Sequence, residues 1–189
     1  LEELAEWGNE HDAQEREHCK KMLNLETETA QLLSILVQSG HCTRLLEIGT
    51  SNGYSTIWLA WAAQQTAGHV SSIELSVEKQ AMADENLKRV GLRDQVTLYQ
   101  GNAVFVLEAL TGAYDFVFLD ANRLQYKDLL PLLLPRLLPG ALVLADNVHS
   151  HSQEISEYLE AIGSRADFLH VVVGVGKGLS VAYKMRKQT

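Results

Sequence analysis

Five short apolar runs, each followed by a turn and an amphipathic segment, constrain this chain more than any other feature. The clearest unit is Arg44-Leu-Leu-Glu-Ile-Gly-Thr-Ser-Asn-Gly-Tyr-Ser-Thr56. An apolar run ends in a turn whose glycines, Gly49 and Gly53, are spaced G-x-x-x-G, and a helical pattern follows. Near-continuous apolar strands separated by helices require a sheet covered on both faces. The right-handed crossover rule then leaves a doubly wound, mostly parallel α/β sheet.

Strands are predicted at 44–48, 69–73, 96–100, 114–119 and 141–145. Helices are predicted at 54–65, 76–90, 104–110, 126–134 (extending toward 138) and 153–162. Two closing strands, 168–173 and 179–185, flank Gly174-Val-Gly-Lys-Gly178 and read as an antiparallel edge hairpin, which makes seven strands. Residues 1–21 read as a loosely held helix or lid. Residues 24–38 form a better helix, with Thr27 and Thr29 as caps and Gly40 as its stop. Residues 1–39 are therefore expected as a helical cap on a single domain, 1–189. At 189 residues and 46% hydrophobic, the chain can bury one substantial core.

The formal net charge is -8, and basic residues gather only in a sparse tail from Lys177 to Lys187. That disfavours a broad footprint for nucleic acid or an anionic membrane. No signal peptide and no bilayer-spanning apolar run is recognised. Cys19 and Cys42 lack any CxxC or Cys/His ligand spacing and are expected as free thiols in a reducing compartment. A cytoplasmic enzyme fits these features, as would many binding proteins. The chain starts at Leu1 and not at a methionine, which leaves room for residues upstream.

If the strands are parallel neighbours, the polar residues that close them share one sheet edge. Gly49 and Gly53 would let a ligand approach the backbone. The amides of the next helix, with Ser55, would hold a carboxylate or phosphate. The spacing is not G-x-G-x-x-G, so one carboxylate is favoured over a dinucleotide pyrophosphate. By itself the turn could merely connect. Glu74, roughly 20 residues past the glycines, is placed to accept from both ribose hydroxyls. Alone it would read as a solvated strand-end acid. Glu47 could hold loop amides or a ligand's amino group.

Asp120, Asp146 and Asn147 offer hard oxygen donors that suit Mg²⁺, or they are ordinary strand-end acids with an Asx turn. His149 and His151 could each act as a base or sit on a surface loop. Arg123 could neutralise an anionic oxygen but is a poor base. Tyr126 reads as packing or a rim contact. Trp58, Trp61 and the leucine-rich stretch 129–138 could supply a homodimer interface.

Several segments together resemble the class I, S-adenosylmethionine-dependent, metal-dependent O-methyltransferases of the catechol and caffeoyl-CoA type. They are Asn24 to Leu32, Leu45 to Ala60, Ile73-Glu74, Val96 to Ala103, Tyr114 to Asp120 and Gly140 to Val148. The resemblance implies a Rossmann-like methyltransferase fold, with Glu74 on the ribose hydroxyls. Ser55 and loop amides would face the methionine carboxylate, and Glu47, Gly49 and Leu25 would lie beside the methionine portion. Ala103 and Val104 would lie near the adenine, with Ala121 across from them, and Asp120, Asp146 and Asn147 would hold a divalent metal. Three positions depart from the family pattern. Arg123 stands where a lysine base is usual, Asn102 stands where bacterial members often have aspartate, and the segment after Asp146-Asn147 is short.

The expected function is methyl transfer from S-adenosylmethionine to a hydroxyl of a small, catechol-like acceptor, assisted by Mg²⁺ or another divalent cation. Arg123 would stabilise an anion, and His149 or a metal-bound hydroxide would take the proton. Alternatives are a methyltransferase acting on another acceptor such as a modified tRNA base, a dinucleotide-dependent oxidoreductase, and a non-catalytic protein that keeps the nucleotide pocket.

Overall fold

The apolar runs become strands β1 (Arg44–Ile48), β2 (His69–Glu74), β3 (Val96–Gln100), β4 (Tyr114–Leu119), β5 (Leu137–Ala145), β6 (Phe168–Val173) and β7 (Leu179–Lys184). The helices are α1 (Glu2–Gln14), α2 (Thr27–Ser39), α3 (Tyr54–Gln65), α4 (Val77–Arg89), α5 (Ala103–Ala109), α6 (Tyr126–Leu133) and α7 (Ser152–Gly163). This is a computed structural model describing residues 1–17 and 20–186. The seven strands form one sheet of order β3-β2-β1-β4-β5-β7-β6. The first five are parallel, and β7 runs antiparallel to both β5 and β6. The doubly wound sheet with its antiparallel edge hairpin is the one expected from the sequence.

Two apolar layers cover the sheet. One gathers Leu46, Val117, Val143, Leu130 and Ile155 under α5, α6 and α7. The other gathers Leu45, Phe116, Leu33 and Leu59 under α2 and α3. β1 alternates between them, so Leu45 and Leu46 serve opposite layers, as the two-residue strand period demands.

Register sets the functional edge. Ile48 pairs with Ile73 on one side and with Leu119 on the other, and Leu119 pairs with Ala145. The next residues, Gly49, Glu74, Asp120 and Asp146, therefore emerge in one row at the strand C-termini. Strand order reverses between β1 and β4, the place where open α/β sheets bind ligands.

Several boundaries moved for local reasons. The α6 helix stops at Leu133 and tightens into a 3₁₀ turn over Leu134–Arg136. Pro131 lies inside the helix, and Pro135 has no N–H with which to carry it further. β5 then begins at Leu137, four residues earlier than expected, with an irregularity in its pairing to β4. Helix α2 starts at Thr27 with Glu26 at the N-cap position, and no side chain caps it. Thr27 instead faces the Tyr54 hydroxyl at 3.3 Å, and Thr29 is fully buried. Neither expected cap forms. The stretch 129–138 offers little for a dimer, since Leu129, Leu130, Leu133 and Leu137 are all buried in the core. Of the two tryptophans, Trp61 remains 43% exposed. Cys42 is a buried free thiol, while Cys19 lies outside the described residues. Among the described residues, no helix is long and apolar enough to cross a membrane.

Gly53 gives a modest test of the turn. Its φ is +88°, and a Cβ there would sit 3.1 Å from Ala83 on α4. Left-handed strain of about 1–2 kcal/mol predicts that Gly53→Ala lowers Tm by about 2–8 °C in calorimetry.

Candidate active site

A cavity of about 740 Å³ opens at the C-terminal row of the sheet. Its floor is the β1–α3 turn. Gly49 has φ +109°, and a Cβ there would stand 1.9 Å from the Asp120 carbonyl oxygen. The glycines are thus required by neighbouring protein, Gly49 by β4 and Gly53 by α4, and not simply by ligand approach as the sequence suggested.

At one end, Glu74 has each oxygen engaged once. Oε2 accepts the Ser51 amide at 2.7 Å, and Oε1 accepts the Ser76 amide at 2.8 Å. Carboxylate oxygens have further lone pairs, so two hydroxyl donors can still be met. Ser51 also donates its hydroxyl to the Met22 carbonyl at 2.8 Å, and Lys79 Nζ holds the Lys21 carbonyl at 2.6 Å. Asp12 accepts the amides of Met22 and Leu23 at 2.6 and 2.7 Å. These bonds draw the segment 22–25 across the cavity, where Leu25 joins the lining. Ala103, Ala121 and Asn102 line the same space, whereas Val104 does not.

Glu47 does neither of the things weighed for it. It is fully buried and absent from the cavity wall. Its carboxylate accepts hydroxyls from Ser55 at 2.6 Å and from Thr56 and Ser72 at 2.5 Å each. Burial pushes its carboxyl up, and the three hydroxyls oppose that shift. Glu47 thus fastens the start of α3 to β1 and β2. Ser55 lines the cavity, but its hydroxyl proton is committed to Glu47.

At the other end stand Asp120, Asp146 and Asn147. Asn147 has φ +70°, a conformation asparagine tolerates, and its Nδ2 reaches Asp120 Oδ1 at 3.4 Å. Burial, with the Asp146 charge beside it, pushes Asp120 up to about 8. Burial, with Glu26 nearby, pushes Asp146 up to about 6. Asp146 is 2% exposed, and its Oδ1 is buried with no hydrogen-bond partner. The two cations at this end already have carboxylates. Arg123 Nε donates to Glu154 at 3.0 Å, and Lys177 Nζ lies 2.7 Å from Glu26. The charges of Arg123 and Lys177 offset the acidic pair only in part, and its oxygens are hard donors. The donor set fits a divalent cation. Among the described residues there is no cluster of three His, Cys, Asp or Glu side chains placed to hold a metal; the candidate set here is two carboxylates and an amide.

A family profile described as O-methyltransferase matches residues 3–162. The chain belongs to the O-methyltransferase family. It is 34% identical to a catechol O-methyltransferase of Niastella koreensis over 131 residues, 67% of this chain and 59% of that protein. The chain thus spans somewhat over half the length of that curated relative. Among solved structures it is similar to the Bacillus cereus O-methyltransferase in complex with SAH, with TM-score 0.83 and 26% identity over 95% or more of this chain (97%, against 89% of the other). It is also similar to TomG of Streptomyces achromogenes in complex with SAM, with TM-score 0.80 and 28% identity over 86% of this chain and 82% of that one.

Within this methyltransferase-family site, one candidate base is displaced. His149 is exposed and absent from the lining, with its ring against Gly178. His151 lines the cavity instead, its Nδ1 2.9 Å from Ser150 Oγ. Arg123 does line the cavity, and its side chain is only 14% exposed. Tyr126 is packing: fully buried, it accepts the Ala121 amide at 3.0 Å and pins the loop after Asp120. The sequence named Lys177 only as the start of a sparse basic tail and as part of the hairpin turn, and did not assign it to the site.

Proposed function

We propose that this chain transfers a methyl group from S-adenosylmethionine to a hydroxyl of a small catechol-like acceptor, with a divalent cation at Asp120, Asp146 and Asn147. The observation that carries the reading is the row of strand ends, with a carboxylate at Glu74 that has free lone pairs for ribose hydroxyls and a buried acidic pair at Asp120 and Asp146 only partly offset by nearby cations. The similarity to a catechol O-methyltransferase supports the acceptor class, and the SAM- and SAH-bound neighbours support the donor.

Glu74 would hold the ribose, and Leu25 and the Gly49–Ser51 turn would border the methionine portion. The sulfonium is an activated donor, so orientation and exclusion of water carry much of the remaining work. A bound cation would supply Lewis acidity, lowering the acceptor hydroxyl's pKa and fixing its oxygen. Arg123 serves as an anion stabiliser. His151, rather than His149, is the side chain we assign to proton removal. His151→Ala is expected to lower kcat by about 100-fold while the affinity for S-adenosylhomocysteine stays within twofold. The cytoplasmic location and homodimer read from the sequence belong to this proposal too.

The decisive experiment is calorimetric titration with S-adenosylhomocysteine, with and without Mg²⁺, followed by a panel of catechols on the same sample. Tight nucleoside binding with no metal effect and no catechol turnover would retain the donor and remove the acceptor. Turnover on a tRNA in place of catechols would favour the alternative acceptor.

A further inference from the structure

Lys177 sits on the turn between β6 and β7, and that turn is fixed on two sides. The amides of Val148 and His149, just past Asp146 and Asn147, donate to the carbonyls of Gly178 and Lys177 at 3.0 and 2.8 Å. A Cβ at Gly176 would lie 2.5 Å from Thr29 Oγ1, at the start of α2, and one at Gly178 would lie 2.4 Å from the His149 ring. Both glycines have positive φ. The backbone is therefore held at a closeness that only glycine permits, and the lysine between them lines the cavity.

The ammonium has three donors. Among the described residues its one acceptor is Glu26, whose other oxygen, Oε2, is buried and unpartnered. The lysine side chain is 47% exposed. An ion pair that exposed contributes little to stability, and the backbone bonds already hold the turn. Stability therefore does not account for a lysine here. Its charge bears on both Asp120 and Asp146 and opposes their upward shifts. It comes from a different element than Arg123, whose Nε is occupied by Glu154.

We propose that Lys177 is an acceptor-contacting residue, its ammonium anchored on Glu26 and donating a hydrogen bond to an oxygen of the acceptor held beside Asp120 and Asp146. The inference rests on the O-methyl transfer reading and adds a recognition element to that site. A charge-assisted bond to a phenolate oxygen is shorter and stronger than one to a neutral hydroxyl. Lys177 thus selects the ionised acceptor, the nucleophilic form.

The test uses 4-nitrocatechol, whose visible band reports its ionisation, titrated into the protein with S-adenosylhomocysteine and Mg²⁺ present. Lys177→Met is expected to bind it about 10-fold or more weakly, with the bound band displaced toward the protonated form. Affinity for S-adenosylhomocysteine should stay within twofold. Lys177→Arg should recover most of the loss, since it restores the cation. Glu26→Gln removes the anchor without touching the ammonium, and an intermediate loss is expected; this variant carries the test if Lys177→Met does not fold. Parent-like nitrocatechol affinity and spectrum in Lys177→Met, or in Glu26→Gln where that variant stands in, would overturn the inference and leave the O-methyl reading intact. A parent protein that binds no nitrocatechol under these conditions would sink both.

Discussion

Glu74→Ala is expected to weaken binding of S-adenosylhomocysteine by about 100-fold or more. On the proposed reading, two hydrogen bonds from ribose hydroxyls to this carboxylate would be lost, each worth about 1.5–3 kcal/mol. Water reaches this half-buried edge in the variant and returns part of that, leaving about 3 kcal/mol, or roughly 100-fold. Glu74 also receives the Ser51 and Ser76 amides, so its loss loosens the β1–α3 turn and, through the Ser51 hydroxyl, the segment at Met22. Glu74→Gln separates the two effects. It keeps the side chain's size and one acceptor oxygen but loses the charge, and about a 10-fold loss is expected. Calorimetry with a 2′-deoxy analogue closes a double-mutant cycle. A coupling near zero would show that Glu74 supports the turn without touching the sugar, and the donor assignment would fall.

The parts of this site that were legible in the sequence are those fixed by sheet topology alone. Glu74, Asp120 and Asp146 each follow an apolar strand, and parallel strands in register deliver their ends to one edge. Position along the chain was enough to place them. Glu47 was not legible, because being on β1 says nothing about which partners its face meets. The hydroxyls of Ser55, Thr56 and Ser72 converge on it only after α3 has packed down. The choice between His149 and His151 turned on two residues of loop geometry that carry no periodic signal. Lys177 reaches the site because β7 returns antiparallel beside β5, a pairing between residues distant in sequence. The leucines of 129–138 looked available for an interface because amphipathic periodicity marks a buried face without saying what buries it.

Removing the Asp146 carboxylate is expected to lower methyl transfer by about 1,000-fold at saturating donor. That is the several kcal/mol a positioned dication contributes at an oxygen. Chelation of divalent cations from the parent should have a similar effect. The same pair gives a signature that needs no turnover. Asp120 and Asp146 have folded-state pKa values raised above the ordinary carboxylate value. Between about pH 4 and pH 8 the folded chain therefore retains protons that the unfolded chain has released. The stability from that difference is full below the unfolded value and is lost as pH rises through the folded values. Without a divalent cation, Tm should fall by a few °C, about 3 °C or more, from pH 6 to pH 8. On the proposed metal reading Mg²⁺ would bind the ionised pair and displace its protons, so its apparent affinity should rise about tenfold or more over the same interval, and saturating Mg²⁺ should flatten the Tm profile. In Asp146→Asn, Asp120 loses its charged neighbour, so the slope should shrink even without the metal. Full activity in chelator, together with a Tm profile indifferent to Mg²⁺, would mean that the two carboxylates answer to another counter-charge, and Lys177, already within reach of their field, would be the first group to examine.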